Sequence, residues 1–179
     1  MKKILLQKKD FTINNRLFKV ILGVSLIFFS AQAKIPLEPV PITMHPMGVL
    51  ILALCYERKV AMQSMLSYVA LGAIGLPIFA GFTSGVSVLF GTSGGYLFGM
   101  ILSVYVITAL REKFGDDSLL KLAIYSIIGS ACVYTVGILQ LSLFVGFVKS
   151  IEFGLYPFIL PGIIKAMLTA SSVKLLKRF

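Results

Sequence analysis

The feature that most constrains this chain is an uncharged stretch of 51 residues, from Val60 to Leu110, that contains no Asp, Glu, Lys or Arg. A soluble domain carries about 25% charged residues, whereas this chain has 13%, and 58% of its residues are hydrophobic. A helix that crosses a bilayer needs roughly 20 apolar residues. The stretch is therefore long enough for two membrane-spanning helices and an uncharged loop between them.

We predict an all-α membrane protein whose single domain covers residues 1–179. Residues 1–15 are predicted to form a basic cytoplasmic tail, and residues 16–176 a bundle of six membrane-spanning helices. The spans are predicted at residues 16–32, 42–56, 60–75, 94–110, 119–144 and 153–176. Prolines crowd residues 34–47, which predicts a shaped loop leading into the second helix. Residues 76–93 form a second uncharged loop, which lies near the membrane surface or folds back into the bundle.

The positions of the basic residues predict the orientation of the bundle. With both termini in the cytoplasm, 14 of the 17 Lys and Arg residues fall on the cytoplasmic side, and only Lys34, Lys149 and Lys165 fall elsewhere. This matches the positive-inside rule. The same clusters exclude a nucleic-acid partner, because they flank apolar segments rather than form one basic face.

The start of the chain allows a second interpretation. Its basic residues, the apolar run 20–29 and the sequence Ala31-Gln32-Ala33 resemble a secretory signal with a small-residue cleavage site. We favour a first membrane span, because removing this segment would leave the next one with an external terminus.

Polar groups inside a membrane are costly, so each one is a candidate functional residue. Lys165 is the only charged residue between Phe153 and Val173. A ligand carboxylate would be a natural partner for it, whereas a lysine that snorkels to the interface is the alternative. His45 is the only histidine, and it either contacts a ligand or caps the junction between the loop and the helix.

Several chemistries are excluded by what the sequence lacks. A single histidine cannot build a metal site of the usual ligand number, and none of the predicted spans carries an Asp or Glu. The run 91–95, Gly-Thr-Ser-Gly-Gly, lacks the lysine of a phosphate-binding loop. We therefore predict no catalytic residues, no metal and no cofactor, so any energy for accumulating a solute must come from another chain.

Three glycines, Gly91, Gly95 and Gly99, recur at a spacing of four residues. Such a ridge lets a second helix or a ligand approach the backbone closely. Taken alone, the ridge favours helix packing over a direct functional role.

Four segments resemble the BioY family, the biotin-binding membrane components (S components) of energy-coupling-factor transporters. They occur in the family order between residues 33 and 165. The segments are Ala33-Lys34-Ile35-Pro36-Leu37-Glu38-Pro39-Val40-Pro41-Ile42-Thr43, Leu71-Gly72-Ala73-Ile74-Gly75-Leu76-Pro77-Ile78-Phe79-Ala80-Gly81, Gly94-Gly95-Tyr96-Leu97-Phe98-Gly99, and Pro157-Phe158 followed by Lys165.

The resemblance implies a six-helix S-component fold in the plasma membrane of a prokaryote, with a vitamin held in the outer half of the bundle. It also implies three partners, namely a membrane-embedded coupling protein and two ATPase subunits. The residues expected to bind the ligand are Thr43, His45, Gly94, Gly95, Tyr96 and Lys165. Glycine would let backbone amides approach the ligand, and the tyrosine would offer an apolar ring with a polar tip.

Three places depart from the family pattern. The family usually has Gln at the position of His45 and Pro-Thr at the position of Thr92-Ser93, and its ligand-binding Asp falls on Gly162. A related ligand with a carboxylate tail, such as lipoate, is therefore an alternative to biotin. A membrane enzyme or an assembly factor is the alternative from a different functional class.

Overall fold

The apolar segments form α-helices in the computed structural model, which describes the backbone of residues 2–36 and 38–176 and the side chains of residues 15–36 and 38–176. The elements in chain order are α1 (Lys2–Gln32), β1 (Lys34–Ile35), β2 (Ile42–Thr43), α2 (His45–Cys55), α3 (Arg58–Ala73), α4 (Val86–Leu89), α5 (Gly94–Phe114), α6 (Leu119–Val145), α7 (Phe147–Gly154) and α8 (Tyr156–Leu176).

Each of the six predicted spans contains a helix in this structure. Within the described residues, four helices are long and apolar enough to cross a membrane: Asn15–Gln32 of α1, α5, α6 and α8. The chain is thus a mostly helical, multi-pass membrane protein. Helix α2 is apolar but shorter, with 11 residues. Its start at His45 rather than Ile42 reflects the pairing of β2 with β1 and the position of Pro46, which suits a first helical turn.

The N-terminal helix is longer than predicted. It begins at Lys2, so the helix continues through residues predicted to form a tail. At its other end Ile27 and Ala31 are fully buried, and α1 packs against both α2 and α3. The C-terminal part of α1 is therefore packed into the helix bundle.

Helix α2 forms the centre of the molecule. It contacts α1, α3, α5, α6 and α8, and its residues Leu52, Ala53 and Leu54 have no exposed surface. A helix that is apolar on every side must be surrounded by other elements. The short helix therefore forms the core around which the longer spans pack.

The most extensive helix pair is α5 with α6, and small residues make it possible. A Cβ atom on Gly95 would lie 2.6 Å from the Val136 carbonyl oxygen, and one on Gly99 would lie 2.7 Å from the Cα of Val133. The backbones of the two helices are thus in direct contact at this ridge, which confirms the packing interpretation for Gly95 and Gly99.

Charged residues join the helices at the end predicted to be cytoplasmic. The Arg111 guanidinium donates to the carbonyl oxygens of Ala53 and Tyr56, at 2.7 and 2.9 Å, and pairs with Asp116 at 2.8 Å. Its side chain is only 16% exposed. The free carbonyls at the C-terminal end of α2 are satisfied in this way, so Arg111 fixes the end of the central helix.

We expect Arg111→Met to lower the free energy of unfolding by about 3 kcal/mol, because it removes the donor to both carbonyls and the part-buried ion pair with Asp116. The matched control is Arg58→Met. Arg58 pairs with Glu112 at 3.0 Å and lies 4.4 Å from the centroid of the Tyr105 ring. Its side chain is 31% exposed and that of Glu112 is 56% exposed, so its loss should cost only about 1 kcal/mol. Unfolding of the purified variants in detergent measures both values, and equal losses would contradict this assignment.

Candidate functional site

A cavity of about 310 Å³ lies between the first loop and the uncharged segment 76–93. Apolar side chains and backbone dominate its lining, with a few hydroxyl groups and one imidazole. The lining residues are Val40, Pro41, Thr43, His45, Phe79, Ala80, Thr83, Val88, Gly91, Thr92, Ser93, Tyr96, Leu97 and Met100. A cavity of this size and composition suits a small, partly apolar molecule.

The first loop forms one wall of the cavity. Its two ends are brought together by the antiparallel pairing of β1 with β2, with Lys34 opposite Thr43. The Met44 amide also donates to the Ala33 carbonyl at 2.9 Å. Across the cavity the Thr92 hydroxyl donates to the Pro39 carbonyl at 3.3 Å, so the loop contacts the opposite wall directly.

His45 lies at the start of α2 and lines the cavity. Its ring is 4% exposed and packs edge-on against Tyr68, with 5.2 Å between the ring centroids. Its Nε2 atom has no hydrogen-bond partner among the described residues. An unpaired polar atom that is buried at a cavity wall is costly unless a ligand satisfies it, so His45 is the clearest ligand-binding candidate in this cavity.

Phe79 extends the same aromatic cluster into the opposite wall. Its ring packs edge-on against Tyr68 at 5.6 Å and is 1% exposed. The ring occupies the place of a side chain at Gly72, since a Cβ there would lie 2.2 Å from it. Gly72 thus makes room for Phe79, and His45, Tyr68 and Phe79 tie α2, α3 and segment 76–93 together.

Lys165 lies on α8, and its ammonium donates to the Thr43 carbonyl at 2.6 Å. Within the described residues, none of the ion pairs involves Lys165. An ammonium has three donors, so donor capacity remains after the bond to Thr43. Lys165 is not itself a lining residue, but its amine is hydrogen-bonded to the backbone of the lining residue Thr43.

The segment Gly94-Gly95-Tyr96 is placed differently from its prediction. Tyr96 is one of the lining residues, while its hydroxyl donates to the Gly154 carbonyl at 2.9 Å. Gly94 and Gly95 are absent from the lining. Their Cα atoms face other backbone, Leu89 in the case of Gly94 and α6 in the case of Gly95. The structure thus brings Thr43, His45 and Tyr96 together at the cavity, with Lys165 behind them.

Several lining residues were missed by the sequence reasoning. They belong to segment 76–93 or to α5, and include Phe79, Thr83, Thr92, Ser93 and Met100. None of them is charged, and each residue type is common in membrane helices and loops. The signal that pointed towards them was indirect: an uncharged loop rich in glycine, in the same half of the fold as the proline-rich loop.

Gly162 faces away from the cavity, towards α6. A Cβ there would lie 2.4 Å from the Tyr134 hydroxyl, and that hydroxyl donates to the Phe158 carbonyl at 3.2 Å. An aspartate at this position would collide with Tyr134 unless one of them moved. The tyrosine therefore occupies the space that a larger residue at 162 would need.

Comparison with known proteins decides the family. The family model described as the BioY family matches residues 4–179. The chain belongs to the BioY family. The BioY relatives include the probable biotin transporter BioY of Rickettsia prowazekii (strain Madrid E), which is 35% identical over 89% of this chain and 84% of its own length. The biotin transporter BioY of Thermotoga maritima is 36% identical over 91% of this chain and 96% of its own length.

A solved structure has the same fold. It is a crystal structure of the S-component for biotin from an ECF-type ABC transporter, with a TM-score of 0.80 and 28% identity. The alignment covers 97% of this chain and 94% of that one. The family resemblance stated from the sequence motifs is thus confirmed. The prediction that the chain is not an enzyme is also confirmed, because its relatives are named as transporters.

Proposed function

We propose that this chain is the biotin-binding membrane component of a vitamin uptake system. The observation that carries the proposal is the cavity itself, at whose wall the Nε2 atom of His45 is buried with no partner in the part of the chain that the structure describes. The cavity lies between two loops in a chain of the BioY family, whose relatives are named as biotin transporters. A buried acceptor or donor at the wall gives a polar group of the ligand a partner.

The chemistry of biotin fits the distribution of polar groups. Biotin joins a compact ring system with a ureido group to a carboxylate tail. Apolar residues such as Val40, Leu97 and Met100 line the cavity for the rings, and His45 offers a hydrogen bond to the ureido group. Lys165, next to Thr43, offers a cation to the carboxylate.

We propose direct ligand contacts for Thr43, His45, Tyr96 and Lys165. Gly94 and Gly95 act less directly, because their small size sets the position of α5 and hence of Tyr96. Because Gly162 stands where the family has its ligand-binding Asp, His45 is the polar side chain that we propose as the partner for the ring system. Lipoate shares the carboxylate tail but lacks the ureido group, so it would use Lys165 without using His45.

We further propose that six helices, α1, α2, α3, α5, α6 and α8, span the plasma membrane of a prokaryote with both termini in the cytoplasm. The distribution of Lys and Arg supports this orientation. Membership of the BioY family supports coupling to a membrane-embedded partner and two ATPase subunits, and the sequence, which has no phosphate-binding loop, calls for an energy source on another chain. A binding site alone shifts a conformational equilibrium only through its differential affinity, so it cannot drive accumulation.

Reconstitution in vesicles tests this function. The chain alone is expected to bind labelled biotin with a stoichiometry of about one and to equilibrate it at most, because one cavity holds one small ligand. With coupling subunits and ATP, the vesicles should accumulate biotin above the external concentration.

Competition with unlabelled ligands sharpens this experiment. Biotin should displace the label at a lower concentration than lipoate, since only biotin engages His45. Preferential displacement by lipoate would assign the site to that ligand instead. Sustained accumulation by the isolated chain under a proton or sodium gradient would contradict the coupling proposal.

A further inference from the structure

The second wall of the cavity, residues 76–93, is held in place mainly by side chains from other elements. Within this segment, all of which the structure describes, regular structure is limited to the four-residue helix α4 and an isolated bridge between Phe79 and Thr83. Yet the segment supplies seven of the 14 residues that line the cavity. A wall with so little backbone pairing of its own needs external anchors.

Gln32, at the end of α1, is the first anchor. Its Oε1 atom accepts from the amides of Gly81 and Phe82, at 3.1 and 3.0 Å. Its Nε2 atom lies 3.3 and 3.2 Å from the carbonyl oxygens of Ile78 and Phe79, to which it donates. One carboxamide thus contacts four backbone groups of residues 78–82. Its Nε2 atom also lies 3.3 Å from the Phe28 carbonyl oxygen, and the Ile78 carbonyl accepts a second hydrogen bond from the Tyr68 hydroxyl at 2.9 Å.

The backbone conformation under Gln32 is itself unusual. Phe82 has φ of +58°, in the left-handed region that residues other than glycine seldom adopt. Such a conformation persists only when the surroundings impose it. The Phe82 amide donates to Gln32, so the carboxamide holds this turn from outside, while the Phe79 amide donates to the Thr83 carbonyl at 3.0 Å within it.

Gln140, on α6, is the second anchor and holds the other end of the same segment. Its Nε2 atom donates to the carbonyl oxygens of Leu89 and Gly91, both at 2.8 Å. These residues end α4 and lead into the turn before α5. The two glutamines therefore bind the two ends of segment 76–93, Gln32 from α1 and Gln140 from α6.

Neither glutamine is among the cavity-lining residues, so each acts through the backbone that it holds. We propose that Gln32 and Gln140 are positioning residues that keep segment 76–93 closed against the ligand and thereby set the rate at which the ligand leaves. This inference rests on the proposed biotin-binding function. A ligand enclosed between the two loops leaves only when one wall moves, and moving this wall breaks the glutamine hydrogen bonds.

The test variant is Gln32→Met, which keeps the length of the side chain but removes every hydrogen bond. We expect labelled biotin to dissociate from the purified variant about tenfold faster or more, with an association rate changed by less than about threefold. Hydrogen exchange in the ligand-free protein should speed up at residues 78–83 and stay unchanged elsewhere. A merely structural role would instead raise exchange throughout the bundle.

Gln63→Met is the matched control. Gln63 is exposed on α3 and accepts a hydrogen bond from Arg16 at 2.9 Å, far from the wall. Its replacement should leave biotin dissociation and exchange at 78–83 unaltered. If Gln32→Met fails to accumulate, Gln140→Met gives the same test, with faster dissociation and faster exchange at residues 89–93 as the expected result.

Two outcomes would overturn the inference. One is a biotin dissociation rate in Gln32→Met equal to that of the wild type, and the other is unchanged exchange at residues 78–83. If the wild-type chain binds no biotin at all, the proposed function fails. If it binds biotin and the variant releases it at the wild-type rate, only the present inference fails.

Discussion

Replacing Lys165 by alanine is expected to weaken biotin binding at least about a hundredfold. Lys165 is partly buried, and its ammonium lies 2.6 Å from the carbonyl of the cavity-lining residue Thr43. Truncating one member of a desolvated charge pair costs on the order of 3–5 kcal/mol, because the other charge remains without its partner. Calorimetric titration of the purified variant with biotin measures the loss.

The ligand offers an independent control for the same charge pair. Biotin amide lacks the carboxylate, so the wild-type chain should bind it about as weakly as Lys165→Ala binds biotin. The Lys165→Ala variant itself should bind biotin and biotin amide equally. Lys174→Ala is the matched protein control, since Lys174 lies on the same helix and its ammonium contacts the Asp117 carbonyl, in the connection between α5 and α6. Unchanged affinity in Lys165→Ala, or equal binding of biotin and its amide by the wild type, would contradict the pairing.

Replacing Gly95 by valine is expected to destabilise the protein so strongly that little of it accumulates in the membrane. A Cβ at this position would lie 2.6 Å from the Val136 carbonyl oxygen and 3.1 Å from the Cα of Gly137. Both atoms belong to the backbone of α6, so the clash cannot be relieved by a change of rotamer. Overpacking of this kind costs about 3 kcal/mol or more, because two helices must separate.

Gly91→Ala is the control for this variant. Gly91 shares the spacing of four residues in the sequence, but it lies before α5 begins at Gly94 and so is not part of the contact between α5 and α6. Its Cβ would lie 3.1 Å from the Ser87 carbonyl oxygen and 3.6 Å from that of Val88, so the variant should accumulate normally. The amount of each protein in membranes and its unfolding temperature in detergent check both expectations. A Gly95→Val protein that accumulates normally but binds no biotin would instead place Gly95 at the ligand.

The arrangement of charged and apolar residues along the chain predicted most of the secondary structure. This arrangement is set by whether a segment lies in lipid or in water, and it does not depend on how the helices pack. An uncharged run from Val60 to Leu110 permits little except membrane helices and the loop between them. The predicted bounds differ from those observed mainly where the chain enters or leaves a helix. The start of α2 at His45 depends on the pairing of β1 with β2, a contact across eight residues that local patterns do not encode.

The candidate site was predicted less completely. Lys165 and His45 could be identified because a lone polar residue in an apolar segment can be recognised from the sequence alone. No comparable pattern in the sequence distinguishes Phe79, Thr92 and Met100. They line the cavity because of the way segment 76–93 folds against α5. Gly95 shows the opposite difficulty, since a glycine has the same appearance in sequence whether its backbone faces a ligand or another helix.

By itself, the sequence determined that this chain enters a membrane, where its apolar segments lie, and which family its motifs resemble. Those properties depend on composition and order along the chain, so they can be seen without knowing any distance. Only the tertiary structure decided that Tyr96 commits its hydroxyl to Gly154, or that Gln32 and Gln140 hold the cavity wall from two different helices. Each of these contacts joins residues about 50 positions apart, and which polar group finds which carbonyl is set by the packing of the helices between them.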